Sequence, residues 1–129
     1  MTERVEEAML AEWVTLRSLW GGDDSWVGDA LRPVIDSAFA TPELRALFPF
    51  TSHNSLCFSR CSSYPYTLDS PCIAAWPDEY IVQASWAATD EPRPELVRTT
   101  DLELAITTVI DNLPPNRAVW LGDADRAPD

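Results

Sequence analysis

Only four glycines occur in 129 residues, and none of them belongs to a phosphate-cradling loop. A Gly-x-Ser-x-Gly elbow and a His-Glu-x-x-His motif are also missing, so phosphate-loop, serine-hydrolase and zinc-protease chemistries lack their usual sequence machinery. With a single histidine, His53, and no Cys-x-x-Cys pair, a structural zinc site has little support. We therefore expect neither metal nor cofactor. Basic residues are scarce as well, 9 against 21 acidic ones for a formal charge of −12. Contact with a phosphate backbone needs clustered Lys and Arg, so nucleic acid is not an expected partner, and anionic membrane surfaces are disfavoured on the same ground. The field favours cationic partners such as a lysine-bearing peptide.

No apolar stretch approaches the roughly 20 residues of a membrane span. The first residues, Met1 to Glu7, are charged and lack the apolar core of a signal peptide, which leads us to expect a cytoplasmic protein. The cysteines, Cys57, Cys61 and Cys72, are odd in number and fit free thiols in a reducing compartment. If Cys57 and Cys61 lie on one strand, they are about 13 Å apart, too far for a disulfide.

What is present fits one domain, residues 1–122, with an acidic flexible tail over 123–129. Val5, Met9, Trp13, Leu16 and Trp20 recur at helical steps before Gly21-Gly22, and Thr2 is placed to cap that helix. The aromatic stripe serves either the core or a dimer seam, with the core favoured by the area each Trp must hide. Asp23-Asp24-Ser25 opens a second helix through Val27, Leu31, Val34, Ile35 and Phe39, in which Pro33 either makes a kink or sits in the first turn of a shorter helix. Thr41-Pro42 starts a very short third helix with Leu44, Leu47 and Phe48 on its apolar side and Pro49 as its stop.

The period then changes. After a Thr51-Ser52-His53-Asn54 loop, Leu56 and Phe58 alternate with Ser55, Cys57 and Ser59, which reads as a strand. Cys72–Trp76 and Tyr80–Trp86 flank Pro77-Asp78-Glu79, the length and composition of a hairpin connection, and Leu96–Arg98 adds a short strand. A capping box of Thr100 and Glu103 leads into the amphipathic run Leu102, Ala105, Ile106, Val109, Ile110 and Leu113. Ala118–Leu121 is an edge strand or an apolar arm. The expectation is an α+β fold: N-terminal helices, a small antiparallel meander and a C-terminal amphipathic helix on one face. A second copy of the chain is expected to cover the sheet's open face or edges, giving a dimer.

His53 is the residue through which proton transfer near neutrality would most naturally run, although a histidine among Ser, Thr and Asn also suits a plain turn. Ser52 is not a nucleophile paired with His53 by adjacency alone, since neighbouring side chains point apart. Thr51, Ser52 and Asn54 offer hydroxyls and an amide nearby, and Arg60 further along the strand offers a contact for an anion or carbonyl.

Phe48-Pro49-Phe50-Thr51-Ser52-His53, Leu56, Phe58-Ser59, Tyr64-Pro65 and Thr100–Ala105 through Leu113-Pro114 resemble a family of short bacterial natural-product biosynthesis proteins. Within it, the chain is similar to the proteins that form lysinoalanine in cinnamycin- and duramycin-type lanthipeptides. The resemblance covers roughly residues 40–115 and implies a small, dimeric, cofactor-free enzyme that binds a modified precursor peptide and adds a lysine amine across a dehydroalanine. On that reading His53 and Ser52 contact the reacting groups, while Thr51, Asn54, Arg60 and Tyr66 hold the substrate. The alternative is a non-catalytic acidic peptide- or protein-binding module of the immunity or chaperone-like kind, since a family resemblance does not by itself fix a reaction.

Overall fold

The computed structural model of the chain describes residues 3–86 and 93–128. Three helices come first, α1 (Glu3–Gly21), α2 (Trp26–Phe39) and the single turn α3 (Pro42–Arg45). Five strands follow, β1 (Phe48–Ser52), β2 (Ser55–Ser59), β3 (Cys72–Ala75), β4 (Tyr80–Gln83) and β5 (Glu95–Thr99), and then α4 (Leu102–Asp111). The strands form one antiparallel sheet in the order β1-β2-β3-β4-β5. This is the expected α+β layout, with one strand more than the alternation predicted.

The helices α1, α2 and α4 pack on one face of the sheet. On α1 the stripe Val5, Met9, Trp13 and Leu16 is buried, and Trp13 is core, with no exposed surface. Ala105, Ile106 and Val109 do the same work on α4, while Leu56, Phe58, Ile73 and Val82 answer from the sheet. That apolar burial is the main driving force available to a chain of this size. The expected cap Thr2 lies outside the described residues.

Several expectations are corrected by the backbone. Phe48 and Pro49 do not finish a third helix; α3 ends at Arg45 and both residues belong to β1. Proline is tolerated there because β1 is an edge strand, where its missing N–H breaks no inner ladder. Thr51-Ser52-His53-Asn54 is accordingly not an open loop. Thr51 and Ser52 pair with Leu56 and Ser55, so His53-Asn54 is the two-residue turn of a β-hairpin. Pro33 lies inside α2 rather than in its first turn, on the exposed side. The cap of α4 is Asp101, whose carboxylate accepts from the amides of Glu103 and Leu104, not Thr100.

The start of α2 is tightly built. Ser25 caps it by accepting from the Gly28 amide at 3.3 Å, and Asp23 accepts from the Ser25 amide at 2.8 Å. The hydroxyl and amide of Ser25 hold the Asp23 carboxyl below its ordinary pKa. A β-carbon on Gly28 would overlap the Asp23 carbonyl and lie 2.8 Å from its Oδ1. Gly28→Ala is therefore expected to lower stability by about 1–2 kcal/mol, because overlap and loss of the cap outweigh alanine's helix preference. Urea unfolding followed by circular dichroism checks this; a stabilised Gly28→Ala protein would show that the Asp23 turn yields freely.

The chain after α4 docks back onto the loop between β2 and β3. Trp120 donates its amide to the Arg60 carbonyl at 2.9 Å and forms a single parallel bridge with Cys61. Ala118–Leu121 is thus an arm with one strand-like contact. Within the stretch read as a tail, Ala124–Arg126 forms a 3-10 turn, and the Ala124 amide donates to the Pro65 carbonyl at 2.8 Å.

Candidate functional site

Strand register sorts the side chains onto two faces, because residues directly opposite in an antiparallel pair project the same way. Thr51, Leu56, Ile73, Val82 and Val97 make one continuous row on the helix-covered face. Ser52, Ser55, Ala74, Ile81 and Arg98 make a row on the helix-free face, and Phe50, Cys57, Cys72 and Gln83 lie in the next row beside it. The Cys57–Cys72 pairing continues the β2–β3 register by one step, and both thiols are buried with Phe50.

An aromatic floor closes part of this second face. Tyr66, from the loop after β2, stacks on Phe50 with ring centroids 3.9 Å apart and planes at 14°. Trp86 meets Phe50 edge-on at 5.4 Å, and the exposed Tyr64 meets both Tyr66 and Trp86 edge-on. Burial raises the Tyr66 phenol above its ordinary pKa, with the negative charge of Glu12 adding to the rise. Burial likewise pushes the Cys57 thiol well up, and the neighbouring Cys72 thiol adds to this. Cys57 is therefore a packed thiol and not a thiolate nucleophile.

The loop that carries Tyr66 is anchored by a buried hydroxyl. Ser59 Oγ accepts from the amides of Cys61 at 3.1 Å and Thr67 at 3.2 Å, and lies 3.3 Å from Thr67 Oγ1. This connection is what lets a loop of turn-forming residues hold an aromatic ring in register against β1.

The six predicted site residues do not all converge. Ser52 and Tyr66 share the helix-free face, and His53 stands at its end on the hairpin turn, exposed and with φ 53°. Histidine is among the non-glycine residues that tolerate this left-handed backbone best. Thr51 projects to the opposite face from Ser52. Asn54 serves the fold: its Nδ2 donates to the Ala75 carbonyl at 2.9 Å and its carbonyl accepts from the Ala75 amide at 2.8 Å, tying the turn to β3. Arg60 lies beyond the far end of β2, about 20 Å from His53 at ~3.3 Å per residue. It is paired with Asp69 at 2.7 Å and lies over the Trp120 ring at 5.1 Å.

The imidazole of His53 and the hydroxyls of Ser52 and Thr51 make no hydrogen bond with other described residues. Phe50, Trp86 and the Cys57–Cys72 pair were missed by sequence reasoning. Only the recognition of β1 as a strand would have placed Phe50 opposite Cys57. Among the described residues no group of three or more His, Cys, Asp and Glu side chains is placed to hold a metal ion, and no helix is long and apolar enough to cross a membrane.

Searches of curated proteins and of solved structures find no match to the chain. A family model described as a family of unknown function, DUF6193, matches residues 7–119. That span takes in all the strands and the whole of α2, α3 and α4, so the chain belongs to the DUF6193 family.

Proposed function

We propose that the protein binds a modified, extended peptide along the helix-free face of its sheet and promotes addition of a lysine amine across a dehydroalanine at the Ser52–His53 end. One observation carries the reading: an imidazole without a hydrogen-bond partner among the described residues and the Ser52 hydroxyl stand at the end of a face whose floor is the aromatic group Phe50, Tyr66 and Trp86. Aromatic surface of this kind holds a peptide without consuming charged groups. In the reaction a bond forms between the lysine nitrogen and the dehydroalanine β-carbon. The alkene electrons move toward the adjoining carbonyl, one proton leaves the nitrogen and one is taken up at the α-carbon. His53 moves a proton in this scheme, and Ser52 donates a hydrogen bond to the developing negative charge. Thr51, Asn54 and Arg60 act only through the fold. No cofactor, nucleic acid or membrane takes part, and the protein works in the cytoplasm as a homodimer that covers part of the open sheet.

The test uses a dehydrated, lanthionine-bridged precursor peptide containing lysine, incubated with the protein and then challenged with a small thiol. Cyclisation conserves mass, so loss of thiol addition at one dehydroalanine reports it. We expect wild-type protein to block that addition, and His53→Ala to restore it at least tenfold in rate while the circular dichroism spectrum is unchanged. Thiol addition that continues with wild-type protein across such peptides removes the cyclisation reading.

A second reading, a non-catalytic peptide- or protein-binding module, is favoured by the open setting of His53 and by the structural use of Asn54 and Arg60. Its signature is a stable complex with peptide that survives His53→Ala.

A further inference from the structure

A second aromatic surface lies at the same end of the sheet as His53. Trp26, the first residue of α2, and Trp76, at the turn between β3 and β4, stack with centroids 5.6 Å apart and planes at 11°. Both remain exposed, by 48% and 41%. With Pro77 they line an open groove of about 290 Å³, and a smaller adjoining groove is lined by Trp26, Asp29, Ala30 and Pro77. The Trp76 amide donates to the Glu79 carbonyl at 2.9 Å, which makes 76–79 a tight turn. Trp76 directly follows Ala75, the residue to which Asn54 ties the His53 turn. Tryptophans that stack on one another while each leaves a ring face in water have no role in the core, and exposed apolar surface of this kind marks a contact site.

Near the pair, the charge left outside ion pairs among the described residues is negative. Asp24 precedes Trp26 by two residues and Asp78 follows Trp76 by two; both are exposed, and neither has an ion-pair partner among the described residues. Asp29 lines the smaller groove. The cation beside them, Arg32, is held by Asp29 and by the carbonyls of Trp20 and Asp23. Asp24 and Asp78, which are outside that pairing, oppose the partial positive charge at the start of α2. The chain contains no lysine at all, and its nine basic residues are arginines. A π-face in a negative field attracts an ammonium or guanidinium group.

We propose that the Trp26–Trp76–Pro77 groove, with Asp29 lining the adjoining groove and Asp24 and Asp78 each two residues from a stacked tryptophan, docks an arginine or lysine side chain of an extended peptide. This deepens the peptide-binding reading by giving a basic residue its place, and it does not require catalysis at His53. The docked group is a cation, so it is distinct from the amine that would have to be neutral to react.

The probe is a short acetylated peptide of alternating lysine and glycine, which has no dehydroalanine and therefore reports docking independently of any cyclisation. Its counterpart with glutamine in place of lysine is the control. Binding is followed by the indole N–H resonances of Trp26 and Trp76 and by titration calorimetry. We expect both resonances to shift. Trp76→Ala should weaken binding by about five- to tenfold and Asp78→Asn by about threefold, with further loss at ~1 M salt. Trp26→Ala is the second variant, should Trp76→Ala fail to fold. The proposal is overturned by equal binding of the glutamine peptide, by unaltered affinity in both tryptophan variants, or by no binding to the wild type at millimolar peptide. It is also overturned if Trp76→Ala converts a dimer to a monomer in sedimentation, since a second copy would then occupy the groove.

Discussion

Trp13→Ala is expected to cost about 3–5 kcal/mol of stability, the range for removing a fully buried large aromatic. Three separate losses add up at this position. The indole has no exposed surface and packs against Phe39 and Phe58 at centroid distances of 5.7 and 6.4 Å. Its Nε1 donates to the carbonyls of Leu47 at 3.1 Å and Arg45 at 3.2 Å, so truncation also strips a donor from the chain joining α3 to β1. And α1 loses the residue that fixes it against that junction, which in turn sets where the β1–β2 hairpin and His53 stand. Small domains have only about 5–15 kcal/mol of net stability, so a large fraction of the total is at stake. Urea denaturation followed by far-ultraviolet circular dichroism measures it without relying on Trp13 as the reporter. Trp13→Phe should fall between wild type and alanine, since it keeps most of the ring contact and loses only the donor. A loss under about 1 kcal/mol for Trp13→Ala would mean that the core around α1 closes over the gap, contrary to the packing described.

The parts of this architecture that could be read from sequence are those whose signal is periodic and local. Val5, Met9, Trp13 and Leu16 repeat at helical spacing and all are buried; Ala105, Ile106, Val109 and Leu113 do likewise. Leu56 and Phe58 alternate with Cys57 and fall on opposite faces, as period two demands. β1 was lost because Phe48-Pro49 gives the local signature of a helix stop, and only the strand's place at the sheet edge, a tertiary fact, makes proline acceptable. That single omission also hid the division of the site. Once Phe48–Ser52 is a strand, Thr51 and Ser52 must part to opposite faces, and Phe50 must face Cys57. The cap of α4 was misplaced by one residue because Thr100 and Asp101 both carry a capping oxygen, and only geometry shows which one reaches the amides of Glu103 and Leu104. Contacts such as Tyr66 on Phe50 and Trp26 on Trp76 join residues 16 and 50 positions apart. No short-range pattern encodes them.

Arg60→Ala separates a structural arginine from a substrate-binding one, and the expected result is a loss of about 2–3 kcal/mol in stability. The estimate lies between the small value of an exposed ion pair and the 3–5 kcal/mol of breaking a buried one, because the side chains of Arg60 and Asp69 are 17% and 34% exposed. The guanidinium makes two contacts with Asp69 Oδ2, from Nη2 at 2.7 Å and Nε at 2.9 Å, and covers the Trp120 ring. Removing it leaves the Asp69 carboxylate without its cation, and the other oxygen of that carboxylate, Oδ1, is already buried with no hydrogen-bond partner among the described residues. Most of the cost is that stranded charge, so Arg60→Ala with Asp69→Ala should be less destabilised than the sum of the two single variants, giving a coupling of about 1 kcal/mol or more in a double-mutant cycle. Chemical unfolding of the four proteins reads the cycle. Arg60 also fixes the loop that carries Tyr66, through its amide donated to Thr67 Oγ1 at 3.0 Å and its carbonyl accepting from Trp120. Both are backbone bonds and persist in the alanine variant. At a temperature where both proteins are folded, the thiol-challenge rate of Arg60→Ala should therefore match wild type within about twofold. If instead the variant keeps its stability and loses peptide affinity, Arg60 contacts substrate and its pairing with Asp69 opens on binding.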